Sequence, residues 1–165
     1  AATIYKTYGG KPGLVRALCE RALGGRGPVH AEQRSDALRA TAADPHEVIT
    51  GWGMLTAEVA PRVAPILLLL RDAASGDATA AALHAELDSN RLRRMTENAR
   101  FLVDNGHLRT GIGLAQARDV LWTYSSPELF DLLVRRRRWS VNRYGQFVAD
   151  AIAAALIEGQ RAARS

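Results

Sequence analysis

Residues 44–70 have the sequence DPHEVITGWGMLTAEVAPRVAPILLLL, which predicts a central helix of a helical bundle. The start signal is strong, because Asp44 can cap the first turn and Pro45 suits the first helical position. Glu47 stands where a capping box has its acidic residue. We therefore expect a helix that begins at about residue 45 and continues past residue 55.

The second half of this stretch is strongly apolar. Pro61 and Pro65 are expected to kink the helix or restart the chain, because proline lacks an N–H and crowds the preceding turn. Residues 66–70 are apolar on every side, which predicts burial at the centre of the bundle. The longest apolar run, residues 64–70, is far too short to cross a membrane, and the first residues do not resemble a signal peptide. We expect a cytoplasmic protein without an anchor.

The rest of the chain continues the helical pattern with short breaks. Ser126-Pro127-Glu128 and Ser140 are start signals, and Asn105-Gly106 is a stop. Aromatic residues are only 6% of the 165 residues, and alternating β-patterns are rare. The prediction is an all-α bundle of about eight or nine helices. Its longest helix is expected at 79–104 and its last two at 127–138 and 141–157.

The positive charge is concentrated at the start of the chain. The formal net charge is +5, and residues 1–26 contain five basic side chains against one acidic residue, Glu20. A basic end on a nearly neutral body is typical of a protein that meets a polyanion with that end. The alternative is an ordinary solvated surface.

The segment TIYKTYGGKPGL, residues 3–14, combines a short helix, an aromatic residue, a glycine turn and a lysine at a helix start. This order and spacing resemble the end of the DNA-binding domain of the tetracycline-repressor (TetR) family. Two positions depart from that pattern, since the aromatic is usually Phe and Pro12 replaces a common acidic residue. The matching residues are Thr3, Ile4, Tyr5, Tyr8, Lys11 and Leu14.

The resemblance implies a TetR-like helical bundle that contacts double-stranded operator DNA with this end. The implied contacts are Thr3, Tyr5, Lys6 and Lys11, and a helix start such as that at Lys11 favours a phosphate. Core packing is the alternative for Tyr5, and a solvated surface position is the alternative for Lys6. Tyr8 is expected to pack in the core.

The resemblance also divides the chain. Residues 1–26 would be the last part of the helix-turn-helix domain, and 27–165 the ligand-binding and dimerisation domain. Because the family has two further helices before the recognition helix, we expect an upstream segment that this sequence lacks. Five C-terminal stretches and Tyr144 resemble a ligand domain common in actinobacterial regulators. The stretches are LVDNGHLR (102–109), ARDVLW (117–122), SPEL (126–129), LLV (132–134) and RWS (138–140).

The family binds effectors inside its C-terminal bundle, which implies a pocket between these helices. The Leu-rich interior favours a small, apolar effector. Thr56 and Asn98 are the preferred polar contacts, because a polar side chain beside an apolar stripe needs a partner. Core packing is the alternative for every candidate. The candidates are Trp52, Leu55, Thr56, Met95, Asn98, Phe101, Trp122 and Tyr124.

The family pairs its last two long helices into a four-helix bundle, which implies a homodimer through 127–138 and 141–157. The alternative is that the apolar stripe of these helices faces the core of its own chain. The residues expected at the dimer seam are Leu129, Leu133, Tyr144, Val148, Ile152 and Ala155.

No motif indicates catalysis, a metal or a cofactor. The four histidines and Cys19 lack metal-ligand spacing, and no nucleophile elbow or acid pair is present. Cys19 is expected to be buried, and 135–138 to be a solvated helix end. The predicted function is a homodimeric repressor that a small molecule releases from its operator. The alternative is a helical-bundle enzyme or carrier without DNA binding.

Overall fold

The structure is a computed structural model that describes Thr3 and residues 7–25, 29–42 and 44–157. These residues form helices and no strand, so the all-α prediction is confirmed. A π-helix, Asp131–Arg136, lies between the last two α-helices. The α-helices are α1 (Lys11–Leu23), α2 (Ala31–Thr41), α3 (Pro45–Ala73), α4 (Ala78–Asp104), α5 (Leu114–Tyr124), α6 (Pro127–Phe130) and α7 (Val141–Leu156).

Helix α3 is the centre of the bundle, and α1, α2, α4, α6 and α7 all pack on it. It begins as predicted. The Asp44 carboxylate accepts a hydrogen bond of 2.9 Å from the backbone N–H of His46, and Pro45 is the first helical residue. With 29 residues it is longer than α4, which has 27, so the prediction that 79–104 is the longest helix is wrong.

The two internal prolines do not divide α3. One α-helix runs through Pro61 and Pro65, so the expected restart of the chain does not occur. Each proline removes one backbone hydrogen bond. Ala60 and Ala64, directly before them, are buried in the core. This tertiary packing outweighs the local preference to end the helix.

The last apolar turns of α3 are not buried on every side. Leu68 and Leu70 are buried, whereas Leu69 is 70% exposed. The prediction of all-round burial is therefore wrong, because no described helix covers the side of α3 that carries Leu69. By length and mean hydropathy α3 is also the one described helix that could span a membrane, and the central helix of a soluble bundle can meet the same criterion.

Helix α7 packs against α3 with the face that the sequence assigns to a dimer seam. Tyr144, Val148 and Ile152 are 0%, 1% and 3% exposed and belong to the main core of their own chain. The assignment of these three residues to the seam is wrong, because a side chain enclosed by its own chain has no surface for a partner. The remaining seam candidates pack partly against the same core, namely Leu129, Leu133 and Ala155.

The sequence predicts one α-helix over 127–138, and this prediction is wrong. Ser126 caps its start, but α6 ends at Phe130 and the π-helix follows. Asp131 pairs with Arg135 at 3.3 Å and with Arg136 at 2.8 Å, and the second pair has the five-residue spacing of a π-helix. The segment then ends at Arg138, which has a positive φ of 59°.

A candidate ligand cavity between α3 and α4

A cavity of about 470 Å³ lies between α3 and α4, and α1 and α2 contribute to its walls. Its size is within the range of small-molecule sites. Helix α3 supplies one stripe of residues, spaced by three and four positions so that they share a face. The residues of this stripe are Trp52, Leu55, Thr56, Val59, Ala60, Val63, Ala64 and Leu67.

Five of the eight sequence candidates line this cavity. Trp52, Leu55 and Thr56 do so from α3, and Met95 and Asn98 from α4. The two groups lie at least 39 positions apart in sequence, so only the packing of α3 against α4 brings them together. Their contact with a ligand stays a prediction.

Phe101, Trp122 and Tyr124 do not line the cavity, and each packs against an aromatic or cationic side chain. The Phe101 ring lies against the His107 ring, with 5.6 Å between centroids. The Arg91 guanidinium lies 4.7 Å from the centre of the Trp122 ring. The Tyr124 ring packs edge-on against Phe147 at 6.3 Å. This cavity gives their assignment to the ligand pocket no support, and core packing is the alternative that these contacts fit.

One end of the cavity is polar and deeply buried. Ser35, Trp52 and Asn98 line it and are 6%, 6% and 3% exposed. Within the described part of the chain, Ser35 Oγ, Trp52 Nε1 and Asn98 Oδ1 have no hydrogen-bond partner. Buried polar atoms are nearly always paired in proteins, so these three atoms are the strongest candidates in the cavity for hydrogen bonds to a ligand or an ordered water. We call these three residues the polar end of the cavity.

Thr56 differs from Asn98, although the sequence favours both as polar contacts. The Thr56 hydroxyl donates a hydrogen bond of 2.8 Å to the backbone carbonyl of Trp52. It is therefore satisfied within its own helix, as Thr in the middle of a helix often is. Asn98 remains the stronger polar candidate of the two.

Ion pairs tie α1 and α2 to α4 beside the cavity. Arg16 on α1 donates two hydrogen bonds, 2.9 and 2.8 Å long, to the carboxylate of Glu86 on α4. These hydrogen bonds and the charge of Arg16 lower the pKa of Glu86. Arg94 on α4 donates to the carboxylate of Asp36 and to the backbone carbonyl of Glu32, both on α2.

Sequence reasoning missed several lining residues. Ser35 stands in a largely polar helix that carries no signal for a site, and Val148 and Ile152 were assigned to the dimer seam. The regular spacing along α3 could have indicated Val59, Val63 and Leu67. Cys19 also lines the cavity. It is buried as predicted, and this burial raises the pKa of its thiol.

A second depression, of about 570 Å³, lies between α2, α3 and the start of α7. Met54, which lines it, is 45% exposed. The ion pair between Arg34 and Glu58, 2.7 Å long, also lies along it. This groove is more open to solvent and offers less apolar surface than the cavity between α3 and α4. The cavity between α3 and α4 is the better candidate site.

The segment that resembles a DNA-binding domain is described only in part. Thr3 is helical and exposed, and Lys11 is the exposed first residue of α1. Gly10 has a φ of 98°, which suits the predicted glycine turn. Tyr8 is 44% exposed, so its assignment to the core is wrong: no described helix covers it. Tyr5 and Lys6 lie outside the described residues.

No family model, no curated protein and no solved structure matches this chain. Within the described residues, no group of three or more His, Cys, Asp or Glu side chains could hold a metal ion. The geometry of the cavity is therefore the principal basis for assigning a function.

Proposed function

We propose that this chain is the ligand-binding and dimerisation part of a transcriptional repressor that a small, mainly apolar molecule releases from operator DNA. The observation that supports this most is the cavity between α3 and α4, which contains Trp52, Leu55, Thr56, Met95 and Asn98. These five were candidates because the TetR resemblance implies an effector pocket inside the bundle.

The position of α1 supports a link between the cavity and DNA. Helix α1 begins at Lys11, directly after the segment that resembles a recognition helix. Its other end lines the cavity with Cys19 and Leu23. A ligand that fits the cavity in only one position of α1 would therefore shift the recognition segment. Such a differential fit is all that coupling between two sites requires.

The contact between α1 and α4 is suited to such a shift. The Arg16 and Glu86 side chains are 42% and 44% exposed, so their ion pair contributes little to stability. This ion pair can orient α1 on α4 and still break at a small cost in free energy. In a homodimer, a shift of α1 in each protomer would change the distance between the two recognition segments, which must match the DNA repeat.

The test is a titration of the product of the whole gene against promoter fragments from its own genome. We expect binding that weakens steeply as salt rises, because phosphate contacts release counterions. An extract of small apolar molecules should release the protein. No duplex binding at low salt under any ligand condition would contradict the proposal.

The cavity also favours a second candidate, a helical-bundle carrier or enzyme that binds a small molecule without binding DNA. The same lining residues support this candidate, because binding a small molecule in the cavity requires no contact with DNA. Ligand binding without duplex binding would favour a carrier, and consumption of the bound molecule would favour an enzyme.

A further inference from the structure

The cavity is elongated. Its α3 stripe extends from Trp52 to Leu67, about 22 Å at 1.5 Å per residue. Its α4 wall extends from Glu86 to Asn98, about 18 Å. The helices run in opposite directions along it. The Trp52 ring meets the Phe101 ring near one end, and Leu70 packs with Leu83 beyond the other.

The three residues of the polar end lie together at one extreme of this cavity. Arg94 binds the backbone of Glu32 and the side chain of Asp36, which places Ser35 beside α4. Asn98 is one turn further along α4. The ring of Trp52 contacts Phe101, which is in the next turn after Asn98. Elsewhere along the cavity, Cys19 lines it from α1 and Glu86 pairs with Arg16 of α1.

The unpartnered atoms of the polar end require both kinds of hydrogen-bonding group. The indole Nε1 of Trp52 can only donate, the amide Oδ1 of Asn98 can only accept, and the Ser35 hydroxyl can do both. All three atoms are buried. A ligand group that both accepts and donates would satisfy Trp52 and Asn98 together. An alcohol or a primary amide has this property, whereas a carboxylate cannot donate and a quaternary ammonium can do neither.

The charges around the cavity are balanced. Four arginines and four glutamates line it. Arg94, the arginine closest along α4 to the polar end, already pairs with Asp36 and with Glu97. Arg91 pairs with Asp88 at 2.9 Å. At the polar end, a charged ligand would therefore lose its hydration without gaining an unpaired opposite charge, which disfavours it.

We infer that the cavity takes an uncharged, elongated, apolar molecule with a hydroxyl or primary amide at one end. That polar group lies between Trp52 and Asn98, and the apolar part extends along Val59, Val63 and Leu67 towards α1. This inference rests on the proposed function, for which it names the chemical class of the effector.

The first experiment compares three probes with the same ten-carbon chain: decan-1-ol, decanoate and decyltrimethylammonium. Binding to the full chain is measured by tryptophan fluorescence and by calorimetry. Decan-1-ol should bind at least about tenfold more tightly than either ion, as expected for the gain of a buried hydrogen bond. Equal or tighter binding of an ion, or no binding of the alcohol, would overturn the inference.

The second experiment uses variants of the polar end. Asn98→Leu keeps the side-chain size and removes the acceptor, and Trp52→Phe removes the donor. Each should weaken decan-1-ol binding about tenfold. The control Asn142→Leu removes an exposed amide on α7, outside this cavity, and should leave binding unchanged. If Asn98→Leu does not fold by circular dichroism, Trp52→Phe alone decides, and unchanged alcohol binding in the folded variants would overturn the inference.

The two proposals fail in different ways. Selective alcohol binding that Asn98→Leu weakens, without duplex binding by the product of the whole gene, would support the ligand class and contradict the repressor. Duplex binding together with a preference for decanoate would support the repressor and overturn the ligand class.

Discussion

The backbones of Gly53 on α3 and Gly145 on α7 approach so closely that neither position has room for a side chain. A Cβ atom on Gly53 would lie 2.7 Å from the carbonyl oxygen of Gly145. A Cβ atom on Gly145 would lie 2.7 Å from the Cβ of Ala57. Each helix thus presents a glycine and, four residues later, an alanine, Ala57 or Ala149. This crossing sets the distance between the central helix and α7.

Gly53→Ala should therefore destabilise the bundle, because the new methyl group meets backbone that cannot rotate away. We expect a loss of about 1–3 kcal/mol in the free energy of unfolding, as for overpacked cores. Urea denaturation measures this loss. The control is Gly76→Ala, whose Cβ would meet nothing within 4 Å. Equal midpoints for the two variants would contradict the close crossing.

Tyr144→Phe should leave stability unchanged or raise it. The Tyr144 hydroxyl is buried without a hydrogen-bond partner among the described residues, and this burial raises its pKa. Removing an unsatisfied hydroxyl removes its desolvation cost. Tyr144→Ala should instead cost about 3–5 kcal/mol, as for the loss of a large core aromatic. Thermal denaturation compares the two variants. A Tyr144→Phe protein that is clearly less stable than the unmodified protein would show that the hydroxyl has a hydrogen-bond partner in the core.

Acid should weaken the contact between α2 and α4. Burial raises the pKa of Asp36, but the hydrogen bonds from Arg94 and Arg39 lower it by more, so the net pKa is below 3.8. The contact therefore stabilises the protein above about pH 3.8 and is lost as the pH falls through the lowered pKa. Asp36→Asn should cost less than about 1 kcal/mol at pH 7, because the Asp36 side chain is half exposed and solvent screens its charge. The melting temperatures of the Asp36→Asn protein and of the unmodified protein should converge as the pH is lowered from 7 to 2.

Lys11→Gln should weaken duplex binding by the product of the whole gene, if the proposed function is correct. Lys11 is exposed at the start of α1, where backbone N–H groups also favour a phosphate. The loss should be similar for all DNA sequences, and the slope of log affinity against log salt should fall by about 1. The control is Arg21→Gln, at the other end of α1. An equal effect of both variants would indicate a diffuse charge effect and not a contact.

Local sequence signals predicted the positions and caps of the helices well. Features that depend on more than one turn of sequence were predicted much less well. The predicted segment 79–104 matches Ala78–Asp104, and the caps at Asp44, Ser126 and Ser140 are all present. A cap acts within one turn, so its effect is visible in a few residues of sequence. The π-helix after Phe130 was not predicted, because it depends on a one-residue shift of backbone hydrogen bonds.

The sequence by itself determined the helical class, most helix boundaries and the apolar stripes of α3, α4 and α7. It did not determine what each stripe faces. The stripe Tyr144, Val148 and Ile152 would be equally apolar against a second copy or against its own chain, and only the glycine crossing with α3 selects the latter. The polar end of the cavity likewise depends on tertiary structure. Ser35, Trp52 and Asn98 come from three helices, and a cavity exists only where those helices fail to fill the space between them.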